Sequence, residues 1–71
     1  MKFNSVEEFT QALINNSDYY FEDGEGDLFY FEDGDLWIKL SGDVFPLGNL
    51  LMRYCVGREF NMVHKDEKMY W

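Results

Sequence analysis

The pentapeptide Tyr-Phe-Glu-Asp-Gly occurs twice in this chain, at residues 20–24 and again at residues 30–34. Asp27-Leu28-Phe29 follows the first copy and Asp35-Leu36-Trp37 follows the second, so one strand-turn-strand phrase is written twice. The first copy carries two extra residues, Glu25-Gly26, before its continuation. Aromatic runs broken by Asp-Gly are the signature of consecutive β-hairpins, because Asp and Gly tolerate the left-handed backbone that tight hairpin turns require. The repeat therefore predicts an antiparallel meander with strands over residues 18–22, 27–32 and 35–41. Two copies are too few for a stacked repeat protein, which needs about three or more.

Helices are expected on either side of the meander. Ser5-Val6-Glu7-Glu8 fits a capping box, and Val6, Phe9 and Leu13 then recur at the spacing of one helical face. Asn15-Asn16-Ser17 ends this first helix, which is placed at residues 5–16. Pro46 suits the first turn of a second helix, whose apolar face is read as Leu47, Leu50, Leu51, Tyr54 and Cys55, with Gly57 as its stop. Residues 58–64 alternate loosely and read as a last strand, and residues 66–71 are a weak candidate to pair with it. The expected order is α-β-β-β-α-β, an α+β fold with an antiparallel meander packed on two helices.

Length bounds the rest. Seventy-one residues make one small domain, spanning 1–71, near the lower size limit for folding alone. A single cysteine excludes a disulfide framework and leaves too few sulfur ligands for a structural zinc site. Apolar runs such as Leu50-Leu51-Met52 and Leu28-Phe29-Tyr30-Phe31 are far short of a membrane span, and no secretory signal is read at the N-terminus. The expectation is a soluble protein of a reducing compartment, the cytoplasm.

Charge is the most informative composition figure, because it is not spread evenly. Fourteen acids against six bases give a net charge of −8. Residues 18–43 hold nine of the acids (Asp18, Glu22, Asp23, Glu25, Asp27, Glu32, Asp33, Asp35 and Asp43) and one base, Lys39, for a net of −8. Five acids and five bases in the remainder cancel. Turn chemistry explains Asp23-Gly24 and Asp33-Gly34, and solubility alone would accept lysine as readily as acid. The block thus reads as a negative surface shaped for a basic partner. It argues against direct binding of nucleic acid or an anionic membrane, which it would repel.

The tips of a meander alternate between its ends, so Asp23–Asp27 and Ser41–Asp43 should share one end and Asp18 and Asp33-Gly34 the other. Asp33 and Asp35 would be about 6.6 Å apart along a straight strand. That spacing is of the order of the phosphate spacing in duplex DNA, about 3.4 Å per strand along the axis. Tyr19-Tyr20-Phe21 and Leu28-Phe29-Tyr30-Phe31 are apolar on both strand faces, whereas a sheet with one wet face alternates. Two helices can cover one face of so small a sheet, which leaves large side chains on the other as a contact surface, for a foreign partner or for a second copy in a homodimer, with tyrosine and tryptophan as its typical anchors.

Catalytic constellations are not found. His64 is the one histidine, Cys55 reads as a small core residue, and the carboxylates sit on turns rather than in a cleft. No phosphate-binding or dinucleotide motif accompanies Gly24 and Gly26, so no cofactor is expected. Asp23, Glu25 and Asp27 have the alternating spacing that opens an EF-hand loop. Position 6 is Leu28 instead of glycine, however, and position 12 is Gly34 instead of glutamate, so no more than weak calcium binding is expected there.

A small, strongly acidic, aromatic-rich domain of this sort, with its charge in the block from Glu22 to Asp43, resembles the inhibitors that bacterial viruses direct against host defence nucleases: anti-CRISPR, anti-restriction and uracil-DNA glycosylase inhibitor proteins. The resemblance is one of kind and rests on no family motif. It implies a non-enzymatic inhibitor that occupies the nucleic-acid site of a basic enzyme as a DNA mimic. Glu22, Asp23, Glu25, Asp27, Glu32, Asp33, Asp35 and Asp43 would face the target's Arg and Lys residues, and Tyr20, Tyr30 and Trp37 would anchor the contact. The alternatives are an interaction module, such as an immunity protein or regulator, and a small-ligand binder at an oligomer interface using Arg53, Arg58 and Lys68.

Overall fold

A computed structural model describes residues 1–68. Its elements run α1 (Val6–Asn15), β1 (Tyr19–Asp23), β2 (Leu28–Glu32), β3 (Asp35–Leu40), β4 (Asp43–Pro46), α2 (Asn49–Cys55), β5 (Phe60–His64) and a short 3-10 turn over Lys65–Lys68. The expected α+β order holds, with β4 as an additional strand. All pairings are antiparallel, and the sheet order is β4-β3-β2-β1-β5. Both expected hairpins are present: Glu32 faces Asp35 across the second turn, and Glu22 faces Leu28 across the first.

Helix α1 begins where Ser5 caps it, the serine Oγ accepting the Glu8 amide at 3.1 Å. It ends at Asn16, whose backbone and side-chain amides both donate to the Ala12 carbonyl. The buried side of α1 is Phe9 and Leu13. Phe9 is the hub of the core, with its ring 5.0 Å from Phe60, 5.1 Å from Phe3, 5.8 Å from Phe29 and 6.3 Å from Phe21. Truncating such a residue to alanine costs about 3–5 kcal/mol, comparable to the whole stability that a core of this size supplies.

Strand alternation sorts the sheet into two faces. Phe21, Phe29, Ile38 and Phe60 point inward, where Met52 and Cys55 of α2 complete the cluster with α1. Neither Leu28 nor Tyr30 belongs to that cluster, although both are buried. By strand alternation they lie on the opposite face.

Two details depart from the sequence reading. Pro46 closes β4 rather than opening a helix: it pairs with Trp37, and the Leu47 amide continues the ladder to the Leu36 carbonyl at 3.0 Å. On the outermost strand of a sheet its missing donor is tolerated. Helix α2 therefore starts later, at Asn49, and turns Met52 and Cys55 inward, while Leu50 and Tyr54 are 74% and 73% exposed. Residues 65–68 form the 3-10 turn instead of the start of a strand; the rest of the expected terminal pairing lies outside the described residues.

Candidate functional site

The register places the acids at two ends of the sheet, as the alternating tips require. At one end stand Asp23, Glu25, Asp27 and, across the β3–β4 turn from Leu40, Asp43. At the other stand Asp18, Glu32, Asp33 and Asp35. Between the ends, on the face away from the helices, a row crosses all five strands: Val63 beside Tyr20, Tyr20 beside Tyr30, Tyr30 beside Trp37, Trp37 beside Pro46. The parallel row holds Asn61, Glu22, Leu28, Lys39 and Val44.

Each end contains a cation that the charge pattern does not reveal. Lys65 reaches back across the outer face, donating from Nζ to the Phe31 carbonyl at 3.0 Å and to Glu32 Oε1 at 3.3 Å. Its ammonium stands 5.7 Å from the Tyr20 ring centre and 5.3 Å from that of Tyr30, within cation–π range. The two tyrosine rings meet edge to face at 5.1 Å. Burial first, and the Glu32 carboxylate second, push both phenols above their ordinary pKa, so they stay protonated donors. Trp37 Nε1 donates to the Glu32 carbonyl at 2.9 Å, which fixes the indole beside them.

At the opposite end Arg58 lies against Glu25, with Nη2 at 3.2 Å, and Nη1 stands 3.9 Å from Asp23 Oδ2. Asp23 is the correction to the expected contact set. Its side chain is 1% exposed, and Oδ1 accepts the amides of Glu25 at 2.9 Å and Asp27 at 3.0 Å. Such a group organises the loop from inside and offers nothing to a partner. Tyr30 is buried as well. Asp33, Asp35 and Asp43 are exposed, Glu25 and Glu32 are exposed and ion-paired, and Asp27, Tyr20, Glu22 and Trp37 are half-buried. The straight-strand spacing for Asp33 and Asp35 does not apply, because Asp33 sits in the turn with φ 54°.

Sequence reasoning missed Arg58 and Lys65 as parts of this surface: Lys65 is counted only in the neutral remainder, and Arg58 is assigned to a ligand pocket with Arg53 and Lys68. It also placed Leu50 and Tyr54 inward. With Leu51 and, on the helix-covered face of β4, Phe45 they leave apolar surface exposed, whereas the exposed Val44 belongs to the outer row. An open groove runs nearby, lined by Ile14, Phe31, Leu36, Trp37, Pro46 and Leu47.

Cys55 is buried, its Sγ donates to the Leu51 carbonyl at 3.4 Å, and burial raises its pKa to about 11. That protonated thiol is a poor nucleophile. His64 lies against Asp66 at 3.6 Å and edge-on to Tyr19 at 5.1 Å. Among the described residues, no helix is long and apolar enough to cross a membrane. No protein-family model, curated protein or solved structure matches the chain.

Proposed function

We propose that this chain is a non-enzymatic binding protein that docks on a basic surface of a nucleic-acid-processing enzyme and blocks it by standing where the nucleic acid would lie. One observation carries the reading: the sheet face left bare by both α-helices bears an aromatic row between two rims of exposed carboxylates. Aromatic side chains give large contact area at small entropic cost, and the rims supply charge to steer a basic partner into register. Asp33, Asp35 and Asp43 meet the partner's Arg and Lys residues. Glu25 and Glu32 exchange their internal cations for external ones, and Tyr20 and Trp37 anchor the centre.

The test is capture of the partner on immobilised protein, followed by displacement. Duplex or single-stranded nucleic acid should release the captured enzyme, and added salt should weaken the complex steeply. The Asp33→Asn/Asp35→Asn variant should capture less while retaining its fold. A complex indifferent to nucleic acid and to that variant would sink the mimic. The second reading, an interaction module of immunity or regulatory type, is favoured by the exposed Leu50, Tyr54 and Phe45 on the helix side; substituting Leu50 and Tyr54 by serine would then abolish capture.

A further inference from the structure

We infer that the β1–β2 loop is a calcium site, in which the carboxylates of Asp23, Glu25 and Asp27 take the ion in competition with Arg58. The inference is independent of any macromolecular partner. One carboxylate oxygen from each of the three residues lies within 4.8 Å of the others. Calcium holds its oxygens at about 2.3–2.6 Å, so two ligands of one ion are at most about 5 Å apart. The three groups are already spaced to share a single cation.

Clustered acids alone do not make a site. Asp23 supplies the distinguishing observation. Its Oδ1 is fully used by two loop amides, but its Oδ2 is buried and has no hydrogen-bond partner. Buried carboxylate oxygens are partnered almost without exception, because desolvating one without compensation costs several kcal/mol. The guanidinium of Arg58 compensates poorly: its Nη1 stands 3.9 Å away, beyond hydrogen-bonding distance, because its Nη2 is drawn to Glu25 at 3.2 Å. One positive charge thus serves three carboxylates.

A divalent ion meets each of these demands. It gives Oδ2 a ligand bond, neutralises a second charge, and frees Arg58 to swing outward, where its side chain is already 38% exposed. All-oxygen donors select a hard cation, and an irregular loop with water completing the shell suits calcium's tolerance of six to eight ligands better than magnesium's octahedron. Gly26, at φ +87°, is the loop's left-handed residue. The bidentate glutamate that closes an EF-hand is replaced by Gly34, so the affinity belongs to the weak class, a Kd of about 10⁻⁴–10⁻³ M.

The experiment is a calcium chloride titration of the intact protein at constant ionic strength, with magnesium chloride and sodium chloride as controls. It follows the backbone amide resonances of Glu25, Gly26 and Asp27 together with the melting temperature. Calcium should give saturable shifts at those three amides and a rise in melting temperature, and magnesium should give less of both. Arg58→Met, which removes the competing cation, should tighten calcium binding several-fold, whereas Asp27→Asn and Glu25→Gln should each weaken it by about tenfold or more. Asp27 and Glu25 are used because neither carboxylate holds the loop amides as Asp23 does. Shifts that sodium chloride reproduces, magnesium binding as tight as calcium, affinity unmoved by Arg58→Met, or binding that survives Asp27→Asn and Glu25→Gln together would each overturn the assignment.

Discussion

The same five residues, Tyr-Phe-Glu-Asp-Gly, end two strands of this sheet and meet opposite fates. In the second copy, Asp33 and Gly34 form a two-residue turn with φ 54° and 81°, and Asp33 faces water. In the first copy, Asp23 remains in the strand, donates its amide to the Asp27 carbonyl at 3.1 Å, and buries its carboxylate under the loop. Only the two inserted residues, Glu25-Gly26, separate the cases. A loop of three residues with a left-handed glycine replaces a loop of two, and the pairing shifts accordingly. The lesson is that turn length, not local sequence, decides which face an acid joins.

Deleting Glu25 and Gly26 tests this most severely. With a two-residue turn at Asp23-Gly24, Phe21 would pair with Leu28 instead of Phe29, and every side chain of β2 would change faces. Phe29 and Phe31 would then leave the core, and we expect the cooperative unfolding transition to vanish in calorimetry. Asp23→Ala comes next. It removes a buried acceptor of two amide bonds and should cost about 3 kcal/mol in urea unfolding, at the scale of hydrogen bonds to charged groups. Asp33→Ala should cost only about 1 kcal/mol, through its left-handed backbone rather than any lost contact, and Asp33→Asn almost nothing. Equal losses at Asp23 and Asp33 would erase the contrast.

The smallest expected effect is a pH dependence confined to the first copy. Asp27 has its folded-state pKa raised, so between the unfolded and the raised value the native state binds more protons than the unfolded chain. Stability contributed there falls as pH rises through that window and recovers on acidification. Asp27→Asn should flatten that part of the stability-against-pH curve, while Asp33→Asn should leave it unchanged.

Most of the architecture is legible in the sequence because its cues are local. Ser5 caps α1, Phe9 and Leu13 mark its buried side, and the Asp-Gly pairs fix both hairpins. Strand β4 escapes because Asp43–Pro46 is short, wholly exposed and ends in proline, so neither alternation nor propensity announces it. The inward face of α2 was misread because a helix of seven residues shows too few turns for its periodicity to be decided. At the candidate site, the exposed positions of Asp33, Asp35 and Asp43 follow from their turns. The burial of Asp23 could not be separated from the exposure of Asp33, since the two sit in identical words. The places of Arg58 and Lys65 beside the acids are not legible in the sequence because only the β1–β5 pairing brings them there.

Cys55 has a use that follows from its place on the buried side of α2. Held protonated and shut away from water, it cannot meet an alkylating reagent until the molecule opens. A thiol probe added to the native protein would therefore be consumed at a pace set by opening. The chain thus contains its own clock, against which any ligand that tightens the fold can be timed.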